Sequence, residues 1–166
     1  MGGNLIWNIE SIYYYVDSSA NSFVTPIANA AYNWVYTGYG WNNLYPNSRT
    51  YNITYSAIDI YGYSSADGNN GYTTFWARTN GTTGNAYSVN PNSQNWLFNE
   101  VKLNSKYLSN QTDAYKQGVV AHEMGHCFGL NENNTNPYSI MCQAGHGRAV
   151  TTVQQVDQNA FNRKHP

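Results

Sequence analysis

The chain has 166 residues, with 9 acidic side chains against 8 lysines and arginines and a charged fraction of only 10%. That length suits a single domain, 1–166, able to bury a core without disulfide staples. Charge so sparse and balanced leaves no basic stripe for nucleic acid and no basic amphipathic face for an anionic membrane, and no apolar run reaches spanning length.

The 16 tyrosines and 5 tryptophans, set among Asn, Gly, Ser and Thr, suit short strands and polar loops and point to a secreted, extracellular monomer. Met1-Gly2-Gly3 carries neither the basic start nor the apolar run of a secretory signal, so a mature domain is the expectation.

Residues 4–16 hold Ile6, Trp7, Ile9, Ile12, Tyr14 and Val16 in partial alternation and predict a first strand ending at Asp17-Ser18-Ser19. From Thr25-Pro26 the period changes. Ile27, Ala30, Ala31, Trp34 and Val35 fall at helical intervals, Pro26 suits a first turn, and Gly38 closes the segment. Alternation returns over 50–61, followed by a polar loop over 64–71. Residues 72–78 and 86–89 read as short strands, and 96–103 as another that runs toward Leu108. Asn110 or Thr112 can cap a helix over 113–127, and Thr151 or Thr152 a last helix carrying Val153, Val156, Ala160 and Phe161. This order predicts an α+β, mixed domain with a strongly twisted sheet.

Within the helix over 113–127 and just beyond it the sequence reads His122-Glu123-Met124-Gly125-His126-Cys127-Phe128-Gly129-Leu130-Asn131-Glu132. Residues four apart share a helix face, so both imidazoles can reach one zinc ion. Glu123 sits about 100° further round the helix, where its carboxylate can take a proton from water activated by that zinc, as a general base. Gly129 marks the point where the helix stops and the chain turns back, which makes Glu132 a candidate third ligand. His146 is the alternative third ligand. An anionic third ligand lowers the formal charge of the centre, so the bound water should be less acidic than in a three-histidine site. Cys127 and Cys142 bracket the loop after the helix; they form either a disulfide that clips it or two buried thiols.

The segment resembles the metzincin signature, His-Glu-x-x-His-x-x-Gly-x-x followed by His or Asp. Met141 in Tyr138-Ser139-Ile140-Met141 resembles that clan's methionine turn, and the chain is most similar to small bacterial matrixin-like or snapalysin-like catalytic domains. The resemblance implies a zinc-dependent endopeptidase with one catalytic zinc. It also implies a twisted, mainly parallel sheet of about five strands with an antiparallel edge strand, an active-site helix and a C-terminal helix, divided into an upper part (about 1–129) and a lower part (about 130–166). Thr73, Thr74, Phe75 and Trp76 become candidates to pair with an extended protein or peptide substrate. Tyr138 becomes a further substrate contact, and the loop over 133–140 a wall of the pocket beyond the scissile bond.

This chain departs from the pattern at Glu132, where the family has His or Asp. The histidines that hold a structural zinc in matrixins are missing, and Gln143 stands where some members carry a tyrosine. Calcium at Asp59 or Asp67 is left open. The rival expectation is a binding or adhesion module that holds zinc on the same fold without proteolysis; the presence of Glu123, which binding alone does not need, argues against it.

Overall fold

Ile58, Ile60, Val101 and Leu103 are fully buried while their strand neighbours Tyr61 and Lys102 are only partly so, and this alternation places one face of a sheet against the helices. The computed structural model describes residues 1–40 and 48–166. Its strands are β1 (Tyr13–Val16), β2 (Ser48–Thr50), β3 (Ile58–Tyr63), β4 (Gly71–Asn80), β5 (Thr83–Ser88) and β6 (Phe98–Asn104). The helices are α1 (Val24–Val35), α2 (Ser105–Leu108), α3 (Asp113–Cys127) and α4 (Gln155–Lys164). The six strands form one sheet in the order β2-β1-β3-β6-β4-β5, parallel from β2 to β6 and antiparallel at β6-β4 and β4-β5. The chain is thus a mixed α+β domain with a mostly parallel sheet and an antiparallel end.

Several boundaries differ from expectation, and side-chain capping explains most of them. Residues 4–12 are not strand: Leu5 makes one isolated bridge to Trp96, and the Asn8 side chain accepts the Glu10 N–H to start a 3₁₀ turn over Ile9–Ser11. The alternation of Tyr51, Ile53 and Tyr55 likewise belongs to no strand. Asn52 caps a 3₁₀ turn there, and the three side chains are 83%, 43% and 62% exposed. β6 stops at Asn104, whose side chain accepts the Lys106 N–H and opens α2. For α3 the cap is Thr112, whose hydroxyl accepts the Tyr115 N–H at 3.2 Å. For α4 it is Gln154 instead of Thr151 or Thr152, in a capping box closed by Asp157.

The helices meet around Trp34 of α1. Its indole N–H donates to Ala121 O of α3 at 2.8 Å, and its ring packs edge-on against Phe128, with centroids 5.2 Å apart. Phe161 of α4 closes this aromatic cluster against both rings.

The opposite sheet face hides one charge. Asp59 on β3 is 4% exposed, and its Oδ1 has no hydrogen-bond partner. Burial pushes its carboxyl up to about 7, against the effect of the Ser56 hydrogen bond. A folded-state value above the unfolded 3.8 means that between about pH 4 and pH 7 the folded chain keeps a proton the unfolded chain has released, so stability falls as pH rises through that window. Asp59→Asn should remove this fall. Urea denaturation of both proteins in chelator should show the wild type losing ground to the variant from pH 4 to pH 7, by at most about 4 kcal/mol; a difference independent of pH contradicts it.

Candidate active site

The apolar run Val119, Val120 and Ala121 buries α3, and the helix continues without a break through His122, Glu123 and His126. Gly125 is needed in its middle: a Cβ there would collide with the Met141 sulfur and lie 3.0 Å from the Trp34 ring. The helix ends in a Schellman motif, with Gly129 N–H donating to His126 O at 2.8 Å and Leu130 N–H to Gly125 O at 3.0 Å. Gly129 takes the left-handed conformation the motif requires, at φ +85°. The chain therefore reverses and passes back beneath the histidines.

That reversal sets the imidazoles. His126 Nδ1 lies 3.0 Å from Leu130 O, and His122 Nδ1 lies 2.9 Å from Ile140 O, next to Met141. A carbonyl can only accept, so each Nδ1 carries the proton and each Nε2 presents a lone pair. The two Nε2 atoms are 3.2 Å apart, and the Glu132 carboxylate places Oε1 3.2 Å from one and Oε2 3.5 Å from the other. Asp157 supports the turn that carries Ile140. It accepts from the Ser139 hydroxyl and from the backbone N–H of Ile140 and Gln154, both at 2.9 Å.

Three acceptor groups, from His122, His126 and Glu132, thus lie within 4.8 Å of one another. Lone pairs at such distances repel unless a cation lies between them, and two imidazoles with one carboxylate form an established donor set for a divalent metal. The residues fit a metal ion. Burial opposes the Glu132 charge, yet the neighbouring His122 and His126 side chains hold its carboxyl down at about 2. Burial also disfavours charge on His126, but Glu132 and Glu123 outweigh it and raise its pKa.

The sequence matches no protein-family model and no curated protein. What can be said of the site therefore comes from its own geometry.

Glu123 sits beside this cluster, 6% exposed, with the Thr73 hydroxyl 2.8 Å from its Oε2 and 3.1 Å from its carbonyl. Thr73 therefore ties β4 to α3 and fixes the carboxylate. β4 is not the outermost strand, as the expectation had it; β5 lies beyond it, but pairs only from Trp76 onward. Trp76 O accepts from Leu97 on the β6 side and Phe75 O from Val89 on the other, so the backbone groups of Gly71 and Thr73 face away from β6. Among the described residues no strand pairs with that short edge, which borders a cavity of roughly 410 Å³ reaching His122, Glu123, His126 and Glu132.

The other candidates divide. Thr73 and Phe75 line the cleft, whereas Thr74 and Trp76 point to the other sheet face, where Trp76 stacks on Phe98. Tyr138 is 67% exposed, outside the cleft lining. The loop over 133–140 does not wall the cavity beside Glu123; Gln143, Ala144, Gly145, His146 and Arg148 do. His146 stands on that wall, exposed and apart from the three-residue cluster. The disulfide is not formed. Cys127 and Cys142 are buried free thiols, each donating to a nearby backbone carbonyl, Glu123 O and Gln143 O, and burial pushes the Cys127 thiol well up.

Neither calcium candidate belongs to a three-residue cluster among the described residues. Asp67 instead accepts from Tyr63, Asn69 and Asn104, and orders its own loop. Asn69, Asn70 and Arg148, which line the cavity beside Glu123, escaped the sequence reading. Apart from its place after the methionine, only the rarity of cations in the chain marked Arg148.

Metal affinity tests whether Glu132 or His146 completes the donor set. In a chelator competition with Zn²⁺, Glu132→Ala should weaken binding by about 100-fold or more, whereas His146→Ala should change it less than about threefold. The reverse ranking would contradict the cluster.

Proposed function

We propose that this chain is a zinc-dependent endopeptidase with a metzincin-like fold, acting outside the cell on proteins or peptides bound in extended form. One observation carries the reading. His122, His126 and Glu132 converge on a single point, with a buried Glu123 fixed beside them at the floor of a cleft bordered by an unpaired strand edge. A site that only stored metal would need no such carboxylate and no such edge.

Bound at this point, zinc supplies Lewis acidity, which makes water acidic near neutral pH and polarises a carbonyl. The rest falls to the chain's own residues. Gly71 and Thr73 offer outward-facing backbone groups to a substrate strand, and such pairing holds a peptide regardless of most side chains. Glu123 accepts the proton of the attacking water and returns it to the amine that leaves, which places the leaving residue on the Glu123 side of the cleft. Thr73 keeps the carboxylate aimed by donating to Oε2. The Leu130 and Ile140 carbonyls hold the two imidazoles in the tautomer that ligation needs.

Cleavage of a generic protein substrate should be abolished by chelator and restored by Zn²⁺. Glu123→Gln should lower kcat/KM by about 10³-fold or more while leaving zinc content unchanged. Cleavage that ignores chelator, or that survives Glu123→Gln, would overturn the reading.

A further inference from the structure

We infer that the cavity beside Glu123 receives an acidic side chain of the substrate, that of the residue whose amine leaves, and that Arg148 is the cation that selects it. The inference rests on the peptidase reading for the direction of the substrate and on the cavity itself for the chemistry. The cavity holds roughly 300 Å³, enough for one side chain, and adjoins the metal cluster at His122 without including His126 or Glu132. Because Glu123 hands its proton to the leaving amine, a cavity on the Glu123 side faces the residue that carries that amine.

The lining is polar where a pocket for an apolar anchor would be greasy. Asn69, Asn70, Gln143, His146 and Arg148 contribute, against Val119 as the one branched aliphatic among the described residues. Among the described residues Glu123 is the only acid in the wall, and its Oε2 is engaged by Thr73. Arg148 is half-buried and, among the described residues, forms no ion pair. Its Nη1 approaches Ile140 O and Cys142 O, each at 3.5 Å, which is the weak limit of a hydrogen bond. A guanidinium has five donors, so most of its capacity is unspent. Burial lowers its pKa, although Tyr115 and Glu123 nearby act the other way, so its charge is short of water. A carboxylate entering the cavity would supply the missing partner, and planar bidentate pairing makes arginine selective for that group.

Cleavage-site mapping on a peptide library, followed by paired peptides that differ only as Glu or Gln at the leaving-amine residue, tests this. The wild type should favour Glu by about tenfold or more in kcat/KM. Arg148→Gln should bring the ratio to about one and Arg148→Lys to a value between. If Arg148 only braced the turn, both peptides would slow together and the ratio would stay at its wild-type value, which would overturn the inference. Binding of the same pair to zinc-loaded Glu123→Gln protein gives a reading independent of turnover. Equal affinities would overturn the inference even where chelator-sensitive cleavage upholds the peptidase. A Glu preference in binding without any cleavage would uphold the pocket and reject the peptidase.

Discussion

Two backbone carbonyls decide the character of this protein. Leu130 O and Ile140 O each engage the Nδ1 of one histidine, and so turn both Nε2 lone pairs onto the same point as the Glu132 carboxylate. An arrangement of three acceptors facing one another costs free energy in any fold that does not fill it with a cation. The surrounding structure is organised to sustain that cost. Gly129 permits the Schellman turn that brings Leu130 and Glu132 back, and Gly125 leaves room for the Met141 side chain directly below. Asp157 ties the Ile140 turn to the start of α4.

The same turn separates two regions with different tasks. On one side lie His122, His126 and Glu132, which open on the cleft bordered by β4. On the other the segment after Met141 wraps around to place Gln143, His146 and Arg148 along the cavity beside Glu123. Thr73 joins them from above, since one hydroxyl both locks β4 onto α3 and aims the carboxylate. Rigid elements thus position the reactive groups, while a short loop carries the charge that would discriminate among substrates.

How much of this could be read from the sequence follows from the range of the interactions involved. Helical spacing is fixed, so His122, Glu123 and His126 were legible, and Gly129 with Glu132 followed because a helix stop and a reversal have a local signature. The strand over 50–61 misled because Tyr51, Ile53 and Tyr55 alternate as a strand does, while the decisive Asn52 cap is two local hydrogen bonds, from the Thr54 N–H and hydroxyl. Thr73 was named for its strand but holds its place through its hydroxyl, a contact across 50 residues that no local pattern encodes. Tyr138 and the loop over 133–140 lie off the cavity beside Glu123 for a related reason: the resemblance located the loop, but which residues face the cavity depends on a path held by the distant Asp157, which accepts from Ser139 and Ile140. Arg148 belongs to the same path and had no pattern to announce it.

The central claim is the ligand set, and X-ray absorption at the zinc edge of the zinc-loaded protein reads it most directly. Ligation by His122, His126 and Glu132 should give two imidazoles and carboxylate oxygen at about 2.0–2.2 Å, with no sulfur near 2.3 Å, and loss of the protein carboxylate contribution in Glu132→Ala. A third imidazole shell that disappears in His146→Ala, or a sulfur shell from Cys127, would contradict it.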